Sequence, residues 1–308
     1  MKRSLRDYLV TLLLAVVIFS AVAVFLIQAA EGLMEDVVIK IGSDESEVTQ
    51  KVTAEAPKAT EEAPQQTGEA EQKDITATFL LVGLDNSKKN ADAIFLVGVN
   101  ATKQQATIAL IPSDTAVVEG ANTYKLGSLY GSRSINFFKT YIEKETGVMA
   151  DYYAAMPMSA LSNLIDILGG ISYKVPCAMY YYDPYQNLKI NLKAGEQKLS
   201  GDQALQLLCY RGYSDGNTGR EDTQLGFARA FCVTFLTPAN LTRASAILDN
   251  MYYNCTTDFD QAALKELSEV IFNVSTYSQT YTRIPGAKSG SYYAISTPRA
   301  QSMFEVYQ

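Results

Sequence analysis

The longest apolar run of the chain lies near its start, and a stretch with almost no apolar periodicity follows it. The run extends from Leu9 to Ala30 with three polar interruptions, and three basic residues precede it. About 20 residues at ~1.5 Å each span ~30 Å, which is the hydrocarbon thickness of a bilayer. Basic residues before such a span keep the N-terminus in the cytoplasm. We therefore predict a short cytoplasmic segment over residues 1–8 and a transmembrane signal-anchor over residues 9–30.

A cleaved secretory signal peptide is the alternative for the same run. Such peptides usually have an apolar region of only ~7–15 residues and end in a small-residue cleavage site. Here the run is longer, and Ala29 and Ala30 are followed by Glu31 without a clear site of that kind. This favours an uncleaved anchor, and it predicts a single-pass protein of the plasma membrane whose C-terminal domain is extracellular.

Residues 31–74 are predicted to form an extracellular acidic linker. Glu, Ala, Thr, Gln, Lys and Pro dominate after Ile41, and Pro57 and Pro64 argue against one continuous helix. Such a composition cannot bury enough apolar surface to offset the entropy of ordering the chain. We expect the linker to be extended or disordered and to hold the next domain away from the lipid.

From residue 75 onward, the apolar positions alternate between strand-like and helix-like spacing. Strands are predicted over residues 76–83, 93–100, 105–111, 151–156, 171–175 and 188–192. Helices are predicted over residues 134–146, 159–168, 231–236, 239–251 and 261–273. The run from Met179 to Tyr185 is interpreted as an aromatic loop, and residues 282–286 and 291–295 as strand and loop. This alternation favours one α/β or α–β–α layered domain over residues 75–308.

The stretch from Asp202 to Ala230 is predicted to contain a short helix, an exposed polar loop and a longer helix. Residues 200–203 read Ser-Gly-Asp-Gln, which fits a capping box at the start of the first helix. The charged, hydroxyl and amide residues that follow are Arg211, Ser214, Asp215, Asn217, Arg220, Glu221 and Gln224. An arginine fork matches phosphate oxygens, and neighbouring carboxylates can hold a divalent cation that bridges to the same phosphates. A solvated connection between two helices is the alternative.

Three further aspartates lie at the ends of predicted strands. Asp85 follows the first strand, Asp92 precedes the second, and Asp114 follows the third. Ligands of open α/β sheets bind at such strand ends, which makes these residues candidates for one site. Each aspartate alone is more often a turn or cap residue, and that interpretation stays open for each of them.

Composition and charge narrow the classes of function. The formal net charge is −7, and no basic stripe is present, so we expect no nucleic-acid partner. The chain contains no histidine, which excludes Ser-His-Asp and Cys-His catalysis. The enzyme mechanisms that remain use carboxylates, lysine or a metal ion.

The four cysteines, Cys177, Cys209, Cys232 and Cys255, have no C-x-x-C spacing. Their separations fit no zinc finger or ribbon, so no zinc site is predicted. Disulfides are possible outside the cell. Cys232–Cys255 is a conceivable pair, but four cysteines allow three pairings and the sequence does not choose between them.

Four groups of segments carry, in order, a resemblance to a known family. They are FLLVGLD (79–85) with ADAIFLV (91–97), IALIPSDT (108–115), LIDILGGISYKVP (164–176) followed by LKAGEQKLSGDQAL (192–205), and YRGYSDGNTGREDTQ (210–224). Behind a signal-anchor, they resemble the LytR–CpsA–Psr family of cell-wall proteins over about residues 77–295. The resemblance implies a three-layer α–β–α fold with a central mixed sheet and a hydrophobic pocket for a polyprenyl chain.

The resemblance also implies an activity. Family members move a glycopolymer phosphate from a polyprenyl-pyrophosphate carrier to peptidoglycan, outside the membrane and aided by Mg²⁺. The expected partners are therefore a polyprenyl-pyrophosphate-linked glycan, peptidoglycan and the membrane, and the expected cofactor is Mg²⁺ or Mn²⁺. The polar stretch fits this activity, because a pyrophosphate needs arginines and a cation to balance its developing charge.

The family motifs assign roles to individual residues. Asp85 and Asp92 are expected to be catalytic carboxylates and metal ligands. Arg211 and Arg220 are expected to be catalytic through clamping the pyrophosphate. The expected substrate-binding residues are Lys125, Asp114, Asp215 and Gln224.

The chain lacks several arginines of the family pattern. The residues that stand in their places are Ser87, Asn90, Ser113, Cys209 and Thr223. Arg133, Lys88 and Lys89 are candidates to replace the lost charge. The alternative function is therefore a catalytically degenerate member that binds polyprenyl phosphate or glycan without turnover. A transcription regulator is a third hypothesis, which the predicted topology opposes because the domain lies across the membrane from DNA.

Overall fold

The computed structural model describes residues 74–184, 188–235, 237–259 and 273–308. The predicted anchor at residues 9–30 lies outside the described residues, as does nearly all of the predicted linker and of the predicted helix at 261–273. In the ranges that are described, no helix is both long enough and apolar enough to cross a bilayer.

Strands and helices alternate along the described chain. The strands are β1 (Thr76–Leu84), β2 (Ala91–Asn100), β3 (Gln105–Ile111), β4 (Ala116–Glu119), β5 (Asn122–Lys125), β6 (Tyr152–Pro157), β7 (Ile171–Val175), β8 (Met179–Asp183), β9 (Leu188–Leu192), β10 (Gly195–Leu199), β11 (Thr256–Thr257), β12 (Ser278–Arg283), β13 (Gly286–Ser289) and β14 (Tyr292–Ile295). The α-helices are α1 (Ile135–Thr146), α2 (Met158–Ile167), α3 (Gly201–Cys209), α4 (Asn217–Phe235), α5 (Ala244–Asn254) and α6 (Thr297–Phe304).

A six-stranded sheet with the order β11-β6-β1-β2-β3-β12 forms the centre of the domain. Strand β2 is antiparallel to β1 and β3, whereas β6 is parallel to β1 and β12 is parallel to β3. The prediction of an α/β domain with a central mixed sheet is therefore confirmed. These strand directions place the carboxyl ends of β1, β3, β6 and β12 at one end of the sheet, where β2 begins.

Successive side chains of the sheet strands pack on opposite faces. Leu80 and Ala155 belong to the cluster that also holds Phe138 of α1 and Phe304 of α6. Met156, the next residue after Ala155, packs instead with apolar residues of α2, α4 and α5. Burying an aliphatic or aromatic side chain of this size contributes ~1.5–3 kcal/mol. Helices thus cover the sheet on both faces.

A second apolar cluster surrounds α3 and the hairpins β7–β10 and β8–β9. It includes Ile171 of β7, Leu199 of β10 and Leu207 of α3. Helix α3 begins with the predicted capping box: the Ser200 hydroxyl accepts from the Gln203 amide at 3.3 Å, and the Gln203 side chain accepts from the Ser200 amide at 3.0 Å. This cap is confirmed, and it fixes the direction in which α3 leads into the polar loop.

Two interpretations of the sequence are wrong. Residues 231–236 do not form a separate helix, because α4 continues from Asn217 to Phe235 and no glycine or proline stands at the junction to end it. The tyrosine-rich stretch after Ala178 is not a loop, since β8 pairs with β9 from Met179 opposite Leu192 onward. Tyrosine favours strands, and pairing with a neighbouring strand decided the outcome.

The cysteines are free thiols in the structure. Cys232 on α4 is hydrogen-bonded to Tyr281 of β12, whereas Cys255 directly precedes β11. Strands β11 and β12 are the opposite edges of the sheet, so five strand spacings of ~4.8 Å put them ~24 Å apart. A disulfide needs Cα atoms within ~7 Å of each other. The conceivable Cys232–Cys255 pair is therefore wrong.

Candidate active site

Most of the polar residues singled out in the sequence lie at the end of the sheet where β1 and β3 end and β2 begins. Asp85 follows β1, Asp114 follows β3, and Asp92 is the second residue of β2. The loop after α3 leads into the first turn of α4, which brings Arg220 and Gln224 to the same end. The site is built from strand ends and one helix start.

Asp92 occupies a bulge of β2. Leu84 pairs with Ala91 and Gly83 pairs with Ala93, so Asp92 is the extra residue between them. A bulge re-aims the side chain of such a residue. The Asp92 carboxylate accepts from Nη2 of Arg211 at 3.1 Å, and its carbonyl accepts from Nε2 of Gln224 at 3.2 Å. Both ends of the polar stretch are thereby tied to Asp92.

Arg220 is the buried cation of the site. Its exposed fraction is 3%, and its Nη2 donates to the Ser113 hydroxyl at 3.1 Å. Burial and the nearby Arg211 lower the pKa of the guanidinium, but arginine stays charged in proteins. Its Nε has no hydrogen-bond partner among the described residues. A buried donor without a partner is uncommon, and an anion at this position would satisfy it.

Asp114 links β3 to the start of α4. It is buried, and its Oδ2 accepts from Nδ2 of Asn217, the first residue of α4, at 3.0 Å. A carboxylate at a helix N-terminus is favoured by the helix dipole. Its Oδ1 has no partner within the described ranges. Asp114 therefore positions the helix that carries Arg220.

Asp85 organises the loop between β1 and β2. Its carboxylate accepts from the Ser87 hydroxyl at 2.8 Å, the Asn90 side chain at 2.7 Å, and the backbone amides of Lys89 and Asn90 at 2.9 and 3.2 Å. Burial acts to raise the pKa of Asp85, but these hydrogen bonds outweigh it, so the pKa lies below its ordinary value. The turn role left open for this aspartate in the sequence is thus observed.

Lys125 and Asp215 lie outside this cluster. Lys125 ends β5, opposite Ala116, and Asp215 is exposed in the loop before α4. Within the described part of the chain, neither side chain forms an ion pair with the cluster around Asp92 and Arg220. Their substrate-binding roles stay predictions.

Arg133, one of the candidates to replace lost charge, is engaged elsewhere. Its Nη2 lies 2.5 Å from the Glu119 carboxylate, and its guanidinium stacks over Phe137 at 5.5 Å. Lys89 is held in the first loop by its carbonyl, which accepts from the Gly131 amide at 2.8 Å. The structure thus gives Arg133 a partner of its own rather than a place beside Arg220.

Uncharged residues stand inside the site where the family pattern has arginines. Ser113 accepts the bond from Arg220, and Cys209 ends α3 beside Asp92 and Arg211. Burial raises the pKa of the Cys209 thiol, so the thiol is uncharged at neutral pH. Thr223 is buried, and its carbonyl accepts from the Tyr173 hydroxyl at 3.3 Å. The positive charge of the site therefore comes from Arg211 and Arg220.

Sequence reasoning missed the role of Glu221 and Arg283. Nε of Arg283 lies 2.6 Å from Glu221 Oε2, and its Nη2 lies 3.0 Å from Asp222 Oδ1. These ion pairs fasten the first turn of α4 to the end of β12. Burial raises the pKa of Glu221, and Arg283 acts in the opposite direction. The local signal was a glutamate beside Arg220. Its partner Arg283 is 62 positions away, in the segment 282–286 that was interpreted only as strand and loop.

Asp85 and Asp92 suit Mg²⁺ chemically because oxygen ligands are those the ion prefers. Among the described residues, no group of three or more His, Cys, Asp or Glu could hold a metal ion. Mg²⁺ is usually held by one or two carboxylates and completed by water and substrate phosphates, so this pair fits such an ion. To bind it, Asp92 would have to share its carboxylate with Arg211, and Asp85 would have to exchange a bond from Ser87 or Asn90.

The comparisons with known proteins agree on one family. The model of the LytR_cpsA_psr family matches residues 38–308. The polyisoprenyl-teichoic acid–peptidoglycan teichoic acid transferase TagU of Halalkalibacterium halodurans is 26% identical over 62% of this chain and 63% of its own length. The probable cell wall biosynthesis protein LcpB of Corynebacterium glutamicum is 29% identical over 52% of this chain and 37% of its own length. The chain thus spans less than two thirds of these relatives.

A solved structure shares the fold. The LytR-Csp2A-Psr enzyme from Actinomyces oris superposes with a TM-score of 0.61 at 21% identity, over 75% of this chain and 89% of that one. At this identity the likeness concerns the arrangement of strands and helices alone.

Proposed function

Because the chain belongs to the LytR–CpsA–Psr family, we propose that it is a phosphotransferase that moves a glycopolymer from a polyprenyl-pyrophosphate carrier to peptidoglycan. The observation that supports this most is the grouping of Arg211, Arg220 and Asp92 at one end of the sheet. A relative of the chain carries the name of a polyisoprenyl-teichoic acid–peptidoglycan teichoic acid transferase. A transferase of this kind needs a site for a pyrophosphate, and two arginines beside carboxylates have the right chemistry for it.

The two arginines are suited to different tasks. Arg220 is fixed by burial, and its Nε donor has no partner among the described residues. The side chain of Arg211 is 61% exposed, and Asp92 is its ion-pair partner among the described residues. A phosphate that takes Arg211 from Asp92 would replace one charge-assisted bond by another and would free the Asp92 carboxylate.

The chemical step transfers a phosphoryl-linked glycan to a hydroxyl. The acceptor oxygen forms a bond to phosphorus, the bond from that phosphorus to the bridging oxygen breaks, and polyprenyl phosphate leaves with the electron pair. We assign the proton of the acceptor hydroxyl to the carboxylate of Asp92, once Arg211 has turned to the phosphate. Mg²⁺, held by Asp85 and Asp92, would supply positive charge that balances the phosphate oxygens.

The anchor predicted at residues 9–30 suits this function. A polyprenyl carrier stays in the membrane, so an enzyme that acts on it has to work at the lipid surface. A single-pass anchor and the linker at 31–74 would keep the domain there, on the extracellular side where peptidoglycan lies.

A second candidate function rests on the missing arginines. Ser113, Cys209 and Thr223 bring no charge to the site, and each lost charge-assisted hydrogen bond costs ~1.5–3 kcal/mol. A protein that binds the lipid-linked glycan without turnover would tolerate such losses better than an enzyme. This candidate predicts binding without product under any divalent metal ion.

A transfer assay on the full chain in detergent micelles tests both. It would receive a short polyprenyl-pyrophosphoryl oligosaccharide, peptidoglycan fragments and Mg²⁺ or Mn²⁺. Metal-dependent transfer of the oligosaccharide is the expected result. Tight carrier binding with no product at any metal concentration would overturn the proposed activity in favour of the binding protein.

A further inference from the structure

A groove of about 590 Å³ lies beside the loop that carries Arg211. It is lined from that loop and from α4, and also by the chain between β7 and β8. Its lining includes Tyr210 and Tyr213, but not Arg211 or Arg220. The groove is therefore separate from the cluster of Asp92, Arg211 and Arg220, and the loop that carries Arg211 joins the two.

Tyrosine rings in this groove rest against glycine backbone. A Cβ at Gly212 would lie 2.5 Å from the Tyr210 hydroxyl oxygen, and one at Gly219 would lie 2.8 Å from Cβ and Cγ of Tyr213. Only glycine leaves room for these contacts at the two positions. The rings of Tyr210 and Tyr213 meet edge to face with centroids 5.1 Å apart. Their positions are thus set before any ligand arrives, which lowers the entropy lost on binding.

The third ring of the groove belongs to Tyr173, and its hydroxyl and ring are both held by α4. The Tyr173 hydroxyl donates to the Thr223 carbonyl at 3.3 Å, and its ring packs on Phe227 with centroids 5.9 Å apart. With its hydroxyl engaged, Tyr173 offers the groove its apolar surface. Three preset tyrosines give the lining an aromatic character.

Carboxylates complete the lining. Asp215 is exposed at the rim, and Asp222 lines the groove while it pairs with Arg283. Among the described residues, the lining contains no lysine or arginine. A polymer that carries phosphates would be repelled here, whereas a neutral sugar would place its C–H face on the rings and donate hydroxyls to the carboxylates.

We propose that this groove binds an uncharged sugar unit of the acceptor glycan. That the sugar belongs to the acceptor rests on the proposed function. The negative charge of the lining favours an uncharged acceptor glycan over a donor polymer that carries phosphates. A sugar in the groove lies next to the loop of Arg211, so it can bring an acceptor hydroxyl toward the bound phosphate.

The tyrosines of β8 extend the same surface along a longer glycan. The strand begins directly after the groove residues Cys177 and Ala178, and Tyr180 and Tyr182 are 75% and 62% exposed. Residues two apart on a strand share a face. A glycan strand that leaves the groove in this direction would meet two further rings.

Calorimetric titration of the full chain in micelles, without carrier or metal, tests the groove directly. The probe is the tetrasaccharide of β-1,4-linked N-acetylglucosamine, and a glycerol phosphate oligomer of similar length is the anionic comparison. We expect the neutral probe to bind, and Tyr213→Leu and Asp215→Ala each to weaken it about tenfold. Tyr253→Leu, on the exposed part of α5, is the matched control and should leave the affinity unchanged.

Three outcomes would overturn the inference: no saturable binding of the neutral probe, equal binding of the anionic oligomer, or equal affinity in the groove variants and the control. Asp215→Ala changes an exposed loop residue, so it keeps the test decisive even if Tyr213→Leu fails to fold. The binding test is independent of the proposed activity, since it contains no carrier. In the transfer assay, Asp215→Ala should raise KM for peptidoglycan fragments about tenfold while KM for the carrier stays the same.

Discussion

Arg211 and Asp92 are joined by a 3.1 Å contact between Nη2 and Oδ1, although 119 positions separate them in the chain. The Arg211 side chain is 61% exposed, and exposed ion pairs contribute only ~0.2–1 kcal/mol. The pair therefore does little for stability. Its position between the two halves of the site makes it a contact that a phosphate can exchange.

A double-mutant cycle on this pair separates stability from activity. We expect Arg211→Ala and Asp92→Ala to change the free energy of unfolding by less than about 1 kcal/mol each, measured by urea titration. The same variants should lower kcat/KM for transfer at least about tenfold, and the double variant should lose less than the product of the two. If the losses in kcat/KM of the two single variants multiplied in the double variant, Arg211 and Asp92 would not act together in transfer.

Arg220 is expected to be the stronger of the two anion ligands. Removal of a buried charge-assisted donor in Arg220→Ala should lower kcat/KM for the carrier by at least about tenfold. Arg133→Ala removes an arginine that pairs with Glu119 outside the site, and it should leave transfer unchanged. If the two variants behaved alike, Arg220 would not contact the pyrophosphate.

Cys209 offers a test by gain of function. Its thiol is close enough to Asp92, Arg211 and Arg220 to feel their charges, and it is uncharged at neutral pH because burial raises its pKa. Cys209→Arg should add a donor fork and tighten carrier binding about tenfold at low salt. Cys209→Ser, which matches the volume without the charge, should bind as the wild type does. No tightening in Cys209→Arg would show that this position does not face the phosphates.

Asp85 should confer a pH dependence on stability. Its folded pKa is below its unfolded value of ~3.9, so its stabilising effect is present above pH ~3.9 and is lost as the pH falls through the folded pKa. Asp85→Asn should be less stable than the wild type by about 1 kcal/mol at pH 7, and the difference should disappear in acid. Urea midpoints from pH 2 to pH 7 measure this, with Asp249→Asn on α5 as the control. A constant difference across that range would contradict the assignment.

Glu221 should act with the opposite sign. Its folded pKa is raised by burial above the unfolded value of ~4.3, so its contribution is fully present below pH ~4.3 and is lost as the pH rises through the folded pKa. Glu221→Gln keeps an oxygen toward Arg283 without this titration, and it should become more stable relative to wild type between pH 4 and pH 7. Glu143→Gln, exposed on α1, is the matched control. If the free energy of unfolding of wild type and Glu221→Gln changed with pH in parallel, Glu221 would not titrate with a raised pKa in the folded protein.

The centre of the sheet was predictable because β1, β2 and β3 are short apolar runs that end in polar residues. The same pattern placed Asp85, Asp92 and Asp114 at strand ends, where they are found. Only the last two residues of β12 fell in a segment interpreted as strand and loop, since an edge strand reading Ser-Gln-Thr-Tyr-Thr-Arg has no apolar run. Its contact with α4 through Arg283 joins distant positions that local spacing cannot connect. The bulge at Asp92 was likewise hidden, because it depends on how β2 pairs with β1.

That bulge makes the length of the β1–β2 hairpin as important as its composition. Residues of β2 beyond Asp92 alternate between the core and the opposite face, and a slip of one position exchanges the two sets. Deleting a single residue at Ala91 or Asp92 would either move the carboxylate away from Arg211 or turn Ile94 and Leu96 out of the core. Insertions and deletions at this turn should therefore be far more damaging than substitutions, because the geometry of the candidate site depends on the number of residues in the hairpin.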